Sequence, residues 1–98
     1  MLVVVPVREA DGADSVVCRV GEAKAFAFMR LGEGMQIEGV EFKKSFANEL
    51  FDYIVTPDKN DDLEEAWDLG ARALLAMPGM SLEEIAEAMM FRELDEIA

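Results

Sequence analysis

The chain has 98 residues, of which 52% are apolar, with 21 acidic against 9 basic residues and a formal net charge of −12. That size makes one domain, residues 1–98, which buries roughly 60–65% of its unfolded surface, enough for one sheet with a helical cover. The charge excludes nucleic acid and anionic membrane surfaces as partners, since both are bound through Lys/Arg clusters. It serves solubility, or it offers an acidic face to a basic protein.

Leu2–Val7 is a short, unbroken, Val-rich run that predicts a strand buried on both faces. A polar connection, Arg8–Ser15, follows. Ala25–Leu31 and Met35–Phe42 flank Gly32-Glu33-Gly34, a turn whose glycines supply positive φ, so the pair predicts a hairpin. Ser45–Leu50 is expected to make one or two helical turns. Tyr53–Thr56 is the next short apolar strand, ended by Pro57.

Asp61 and Glu64 form a capping-box pattern opening a helix that Gly70 closes, with Leu63, Ala66 and Trp67 on its buried face. Ala71–Met77 predicts a third interior strand, stopped by Pro78-Gly79. Ser81 and Glu84 make a second capping box, with Met80 and Ile85 at the positions of a hydrophobic staple. A helix over Ser81–Glu96 is expected to bury Leu82, Ile85, Ala86, Met89, Met90, Leu94 and Ile97 along one stripe, with Phe91 off it. Strands alternating with helices after a hairpin imply a mixed, three-layer α/β sheet.

Ser15-Val-Val-Cys-Arg-Val-Gly-Glu-Ala-Lys-Ala-Phe-Ala-Phe28, placed after a strand that contains Pro6, resembles the signature loop of the dinitrogenase iron–molybdenum cofactor biosynthesis family, the NifX-like group. That loop reads roughly Val-Ser-x-His-Phe-Gly-Arg-Ala-x-x-Phe. Gly21, Ala23 and Phe26 keep its register, while the family's His falls on Arg19 and its Phe on Val20; the chain has no histidine. The likeness runs from Leu2 to about Leu94. It implies an RNase H-like motif with the hairpin at one edge. It also implies a carrier, not an enzyme, for the iron–molybdenum cofactor or an iron–sulfur precursor, with a nitrogenase-related or cofactor-biosynthesis protein as partner and a monomer or homodimer as its state.

Within that resemblance Cys18, Arg19 and Gly21 are the cofactor-binding candidates, and Cys18 is the metal ligand. One thiolate can hold a single iron of a preformed cluster but cannot assemble one; otherwise Cys18 is a small semi-buried hydrophobe. Its pKa is expected to be lowered by neighbouring Arg19. Arg19 could pair with an anionic cofactor through its fork of donors, or be a surface charge.

A second departure lies at Pro57-Asp-Lys-Asn-Asp-Asp62, where the family tends to carry Gly-x-Ile-Gly. Here the aspartates would repel an anion. As a calcium loop the segment fails, having Leu63 at the glycine position and Leu69 at the bidentate glutamate position. Mg²⁺ on Asp58 and Asp62, or simple turn and cap roles, are the remaining readings.

Met77, Met80, Met89 and Met90 read as core filling rather than as soft-metal ligands. A lone cysteine forms no intrachain disulfide and, without histidine, no zinc site. Met1–Val7 is too short for a signal segment, and no run reaches the roughly 20 apolar residues of a membrane span. A cytoplasmic protein is the expectation. The alternative to carriage is a divergent chain without cofactor, an acidic interaction module docking through its surface and Phe91.

Overall fold

A computed structural model describes residues 1–97. Six strands form one sheet in the order β3-β2-β1-β4-β5-β6. The elements run β1 (Leu2–Val7), β2 (Ala25–Leu31), β3 (Ile37–Lys43), β4 (Tyr53–Thr56), α1 (Glu64–Asp68), β5 (Arg72–Leu75), α2 (Leu82–Met90) and β6 (Asp95–Ile97). β1, β4 and β5 are mutually parallel, β2 and β3 form an antiparallel hairpin at one edge, and β6 runs antiparallel to β5 at the other. The three apolar runs expected to be interior strands are interior, and the hairpin lies at one edge of the sheet as expected.

Alternation along β1 splits its side chains between two cores. Val3, Val5 and Val7 join Ala27, Met29, Leu31, Val55 and Leu74 beneath α2, whose Leu82, Ile85, Ala86 and Met89 cover them. Val4 faces the other way, with Phe26, Phe28, Ile54 and Ala73, under Phe46, Phe51, Leu63 at the start of α1 and Ala66 within it. Edge-to-face ring pairs link this second core: Phe26–Phe46 at 5.1 Å, Phe46–Phe51 at 5.7 Å and Phe28–Phe51 at 6.2 Å between centroids. The sheet is therefore the middle of three layers. Its exposed edge strands are short or charged, which discourages further pairing.

The Ser81 capping box forms as expected: Ser81 Oγ accepts from Glu84 N–H at 3.2 Å, and the Glu84 carboxylate accepts from Ser81 N–H at 3.1 Å. Met80 and Ile85 both pack into the α2 core. Ser81→Ala is expected to cost about 1 kcal/mol, read as a fall of roughly 4–8 °C in melting temperature for a chain of this size. An unchanged melting temperature would contradict the role given to the cap.

Several expectations fail for physical reasons. The last helix stops at Met90 rather than reaching Glu96, because Arg92 takes a left-handed φ of 55° and turns the chain back. Asp95–Ile97 then pairs with β5, where Arg72 engages Glu96, so Ile97 enters the second core from a strand and not from a helix stripe. Met90 and Met77 lie 46% and 72% exposed, outside the core assigned to them. Trp67 is 43% exposed, because α1 has only five residues and Leu63 and Ala66 already fill its inner side.

The α1 cap also differs: Leu63 is the N-cap residue, and no side chain caps the helix. Ser45–Leu50 makes turns but no helix, with Ser45 Oγ accepting from Ala47 N–H at 3.0 Å, while Phe46 is driven into the core. β3 starts at Ile37, two residues later than expected, since Gly34 and Met35 both carry positive φ within the turn. β5 is shorter than Ala71–Met77 at both ends.

Candidate functional site

The three parallel strands β1, β4 and β5 end at the same side of the sheet, and the chain leaves each into a loop: at Arg8, Pro57 and Ala76. Such carboxyl ends are the usual ligand-binding edge of an α/β sheet. A cleft of about 650 Å³ opens there, lined by residues of all three loops, most of them from the connection between β1 and β2. Its walls include Arg8, Glu9, Ser15, Val16, Val17, Cys18, Arg19, Glu22, Asp58 and Pro78.

The segment Ser15–Cys18 is laid against the sheet by backbone hydrogen bonds. Cys18 N–H donates to Pro6 C=O at 2.9 Å, Val17 N–H to Met80 C=O at 2.9 Å, and Leu82 N–H to Ser15 C=O at 3.0 Å. Ser15, itself buried, donates its hydroxyl to Gly12 C=O at 2.8 Å and accepts from Asp11 N–H at 2.7 Å. The polar connection of the sequence is thus a folded wall, tied at one end to β1 and at the other to the start of α2.

Cys18 faces the cleft but is only 7% exposed. Burial is the main cause that pushes its thiol above the ordinary value; Arg8 opposes the shift, and the Glu22 and Asp61 carboxylates add to it. The expected lowering by Arg19 is therefore reversed in sign, and the cation that does act on the thiol is Arg8. Arg19 also lines the cleft, with its guanidinium Nε 3.2 Å from Asp58 Oδ2. Arg8 is likewise paired, at 2.8 Å, with Glu22. Gly21 sits on the exposed turn Val20–Glu22, outside the cleft lining, with open space where a side chain would be.

The aspartates after β4 have separate tasks. Asp58 accepts from Asn60 N–H at 2.9 Å in a turn, besides its contact with Arg19. Asp61 Oδ2 accepts from Thr56 Oγ1 at 2.7 Å and from Val20 N–H at 2.8 Å, joining the β4 loop to the loop after Cys18. Asp62 is exposed and only helps to start α1. Among the described residues no three His, Cys, Asp or Glu side chains are grouped as a metal would need, and Asp58 and Asp62 are not brought together with a third. The role of Asp61 escaped the sequence, where it read as a helix cap, because both of its partners are set by tertiary structure.

Fold and cleft together define a small three-layer α/β protein with one open binding edge. No protein-family model matches the sequence, and no curated protein matches it. Solved structures do share the fold. The crystal structure of the protein PH0822 superposes with a TM-score of 0.76 at 18% identity, covering 98% of this chain and 96% of that one. A candidate NifB protein from Thermotoga, of the DUF35 family, gives 0.75 at 17% identity over 97% and 91% of the two chains. A candidate dinitrogenase from Methanocaldococcus jannaschii gives 0.74 at 14% identity over 100% and 95%. Likeness at these identities establishes the fold, over the whole length, and leaves the chemistry to this chain's own residues. No described helix is long and apolar enough to cross a membrane.

Proposed function

We propose that the protein is a non-catalytic binding protein of nitrogenase-related type. Its cleft takes an iron–sulfur-type cluster, the iron–molybdenum cofactor or a precursor of it, as cargo. The observation that carries this reading is the position of Cys18: the chain's one thiol lines the cleft at the carboxyl ends of the parallel strands, within the loop that resembles the NifX-like signature. The names of two fold neighbours, NifB and dinitrogenase, support the same direction. One thiolate holds one iron of an assembled cluster, and the remaining irons keep ligands of their own.

Binding requires the thiol to lose its proton, and burial holds that proton on. Uptake is therefore expected to rise with pH through the alkaline range in which the buried thiol ionises. The same shift acts on stability with the opposite sign. A thiol whose folded pKa lies above its unfolded value contributes stability that is fully present below the unfolded pKa and is lost as pH rises through the folded one. Cluster uptake and urea midpoints measured across that range should move in opposite directions. Uptake that is flat with pH would argue against a thiolate ligand.

A second reading, an interaction module without cofactor, is favoured by the charge of the same cleft. Five carboxylates line it (Glu9, Asp11, Asp14, Glu22 and Asp58) against two guanidiniums, Arg8 and Arg19, and both guanidiniums are already paired. An anionic cluster enters such a site against repulsion, whereas a basic protein segment would not. Phe91, 62% exposed beside Met90 at the far end of α2 and outside the cleft lining, supplies apolar surface for a separate contact. Anaerobic incubation with a preformed cluster separates the two readings. A coloured protein with bound iron supports carriage, and a protein that stays colourless with no iron decides for the module.

A further inference from the structure

Cys18 is followed by a short, largely exposed turn, Arg19–Glu22, whose two ends line the cleft and which has little apolar anchorage: within it only Val20 packs against a core, and that residue is half-buried. Its attachment is polar. Val20 N–H donates to Asp61 Oδ2 at 2.8 Å across a sequence separation of 41 residues, and the same oxygen accepts from Thr56 Oγ1 at 2.7 Å. Thr56 is fully buried at the end of β4, so the carboxylate is held from the sheet side. Its other oxygen, Oδ1, accepts from Asp62 N–H at 2.9 Å, which fixes the plane of the group.

The two flanking ion pairs are much more exposed: Arg8 and Arg19 have side chains 62% and 54% open to solvent. Exposed pairs contribute little. A charge-assisted hydrogen bond made by a carboxylate of fixed orientation is the stronger tie.

We propose that Asp61 is a positioning residue whose carboxylate latches the Arg19–Glu22 turn to the end of β4 and thereby sets how far Cys18 is open to the cleft. What the latch controls rests on the reading of Cys18 as the cargo ligand; the latch itself requires no cargo. With the latch closed the thiol is covered, and release of the Val20 contact lets the turn lift while β1, β4 and α2 stay in place, since none of their backbone hydrogen bonds passes through Asp61 and only the Thr56 hydroxyl of β4 touches it. Cargo exchange is then limited by opening of the turn.

The test uses Asp61→Ala and Asp61→Asn in the full chain, with two readouts: hydrogen exchange at the Val20 amide and the rate of Cys18 alkylation by iodoacetamide. Alkylation is compared at the high-pH plateau of each variant, so that ionisation of the thiol does not enter. In Asp61→Ala both rates are expected to rise about tenfold or more, as loss of a half-buried charged acceptor shifts a local opening equilibrium. The slowest amides of β1 and β4 should keep their wild-type rates. Asp61→Asn retains a side-chain oxygen able to accept from both Val20 and Thr56, and should stay within about threefold of wild type.

Equal rates in Asp61→Ala and wild type would overturn the proposal. So would a general acceleration that includes the β1 and β4 amides, since Asp61 would then be merely structural. Incubating the same variants with cluster separates this proposal from the carrier reading. Faster alkylation without iron binding keeps the latch and removes the carrier, and iron binding with unchanged alkylation does the reverse.

Discussion

Cys18→Ala is expected to abolish iron uptake while leaving the fold in place, the largest functional effect any single substitution should have in this chain. The argument is one of counting. The sequence has one cysteine and no histidine. The described carboxylates gather nowhere into a metal-holding group. If an iron is held, removing the thiol leaves no soft donor in the cleft lining, only carboxylates that are exposed, engaged in turns or paired with arginine, and these are hard donors poorly suited to a sulfide cluster. The structural cost is small, about 1 kcal/mol for a small side chain in a loop, because the hydrogen bond that places residue 18 is made by its backbone to Pro6.

Arg19→His is the complementary change. It removes the contact with Asp58, frees that carboxylate, and puts an imidazole at the position where the resembling family has one. Iron retention should increase if carriage is the function. Iron near zero in wild type, Cys18→Ala and Arg19→His alike would establish the cofactor-free module instead.

The parts of this fold that could be read in the sequence are those determined by local chemistry. Leu2–Val7 and Tyr53–Thr56 could be read as interior strands because they are short, unbroken and rich in β-branched residues, with Pro57 stopping the second, and Ser81–Glu84 caps its helix with contacts that span three residues. The hairpin follows from two glycines and the apolar segments beside them. What escaped depends on partners far along the chain. Asp95-Glu96-Ile97 carries no strand signature; it becomes a strand because Arg72 and the edge of β5 receive it. Leu94 and Ile97 happen to continue the spacing of a helical stripe, so periodicity alone extended α2 past its end.

The same holds at the cleft. The resemblance brought Cys18 and Arg19 forward, and both line the cleft, whereas Gly21 does not. Arg8 and Asp61, which act on the thiol and on the turn beside it, gave no sign in the sequence. Trp67 misled for a related reason. A three-residue spacing rule presumes a helix long enough to have a face, and α1 is barely more than one turn.

Ile85→Ala should produce, with Leu82→Ala, one of the two largest losses of stability among the α2 positions, and with it the loss of the cleft wall. Ile85 is fully buried in the core that joins α2 to Val3, Val5 and Val7 of the central strand. Truncation of such a side chain removes its transfer free energy and leaves a cavity, together about 2–5 kcal/mol, a large share of the roughly 5–15 kcal/mol expected in total. For a chain of this size the melting temperature should fall by roughly 8–40 °C. Ile85→Val, which keeps most of the volume, should cost only about 0.5–1.5 kcal/mol.

The effect reaches the cleft because α2 does more than cover the sheet. Its first residues and the Met80 carbonyl hold the Ser15–Val17 wall through the bonds Leu82 N–H to Ser15 C=O and Val17 N–H to Met80 C=O. In Ile85→Ala the amides of Val17 and Leu82 should lose exchange protection together with the interior of α2, ahead of those in β1. Melting temperatures of the two Ile85 variants, set beside Ser81→Ala, provide the check. If Ile85→Ala proves no more costly than loss of the cap, α2 is not held through this face, and the wall of the cleft must take its rigidity from β1 alone.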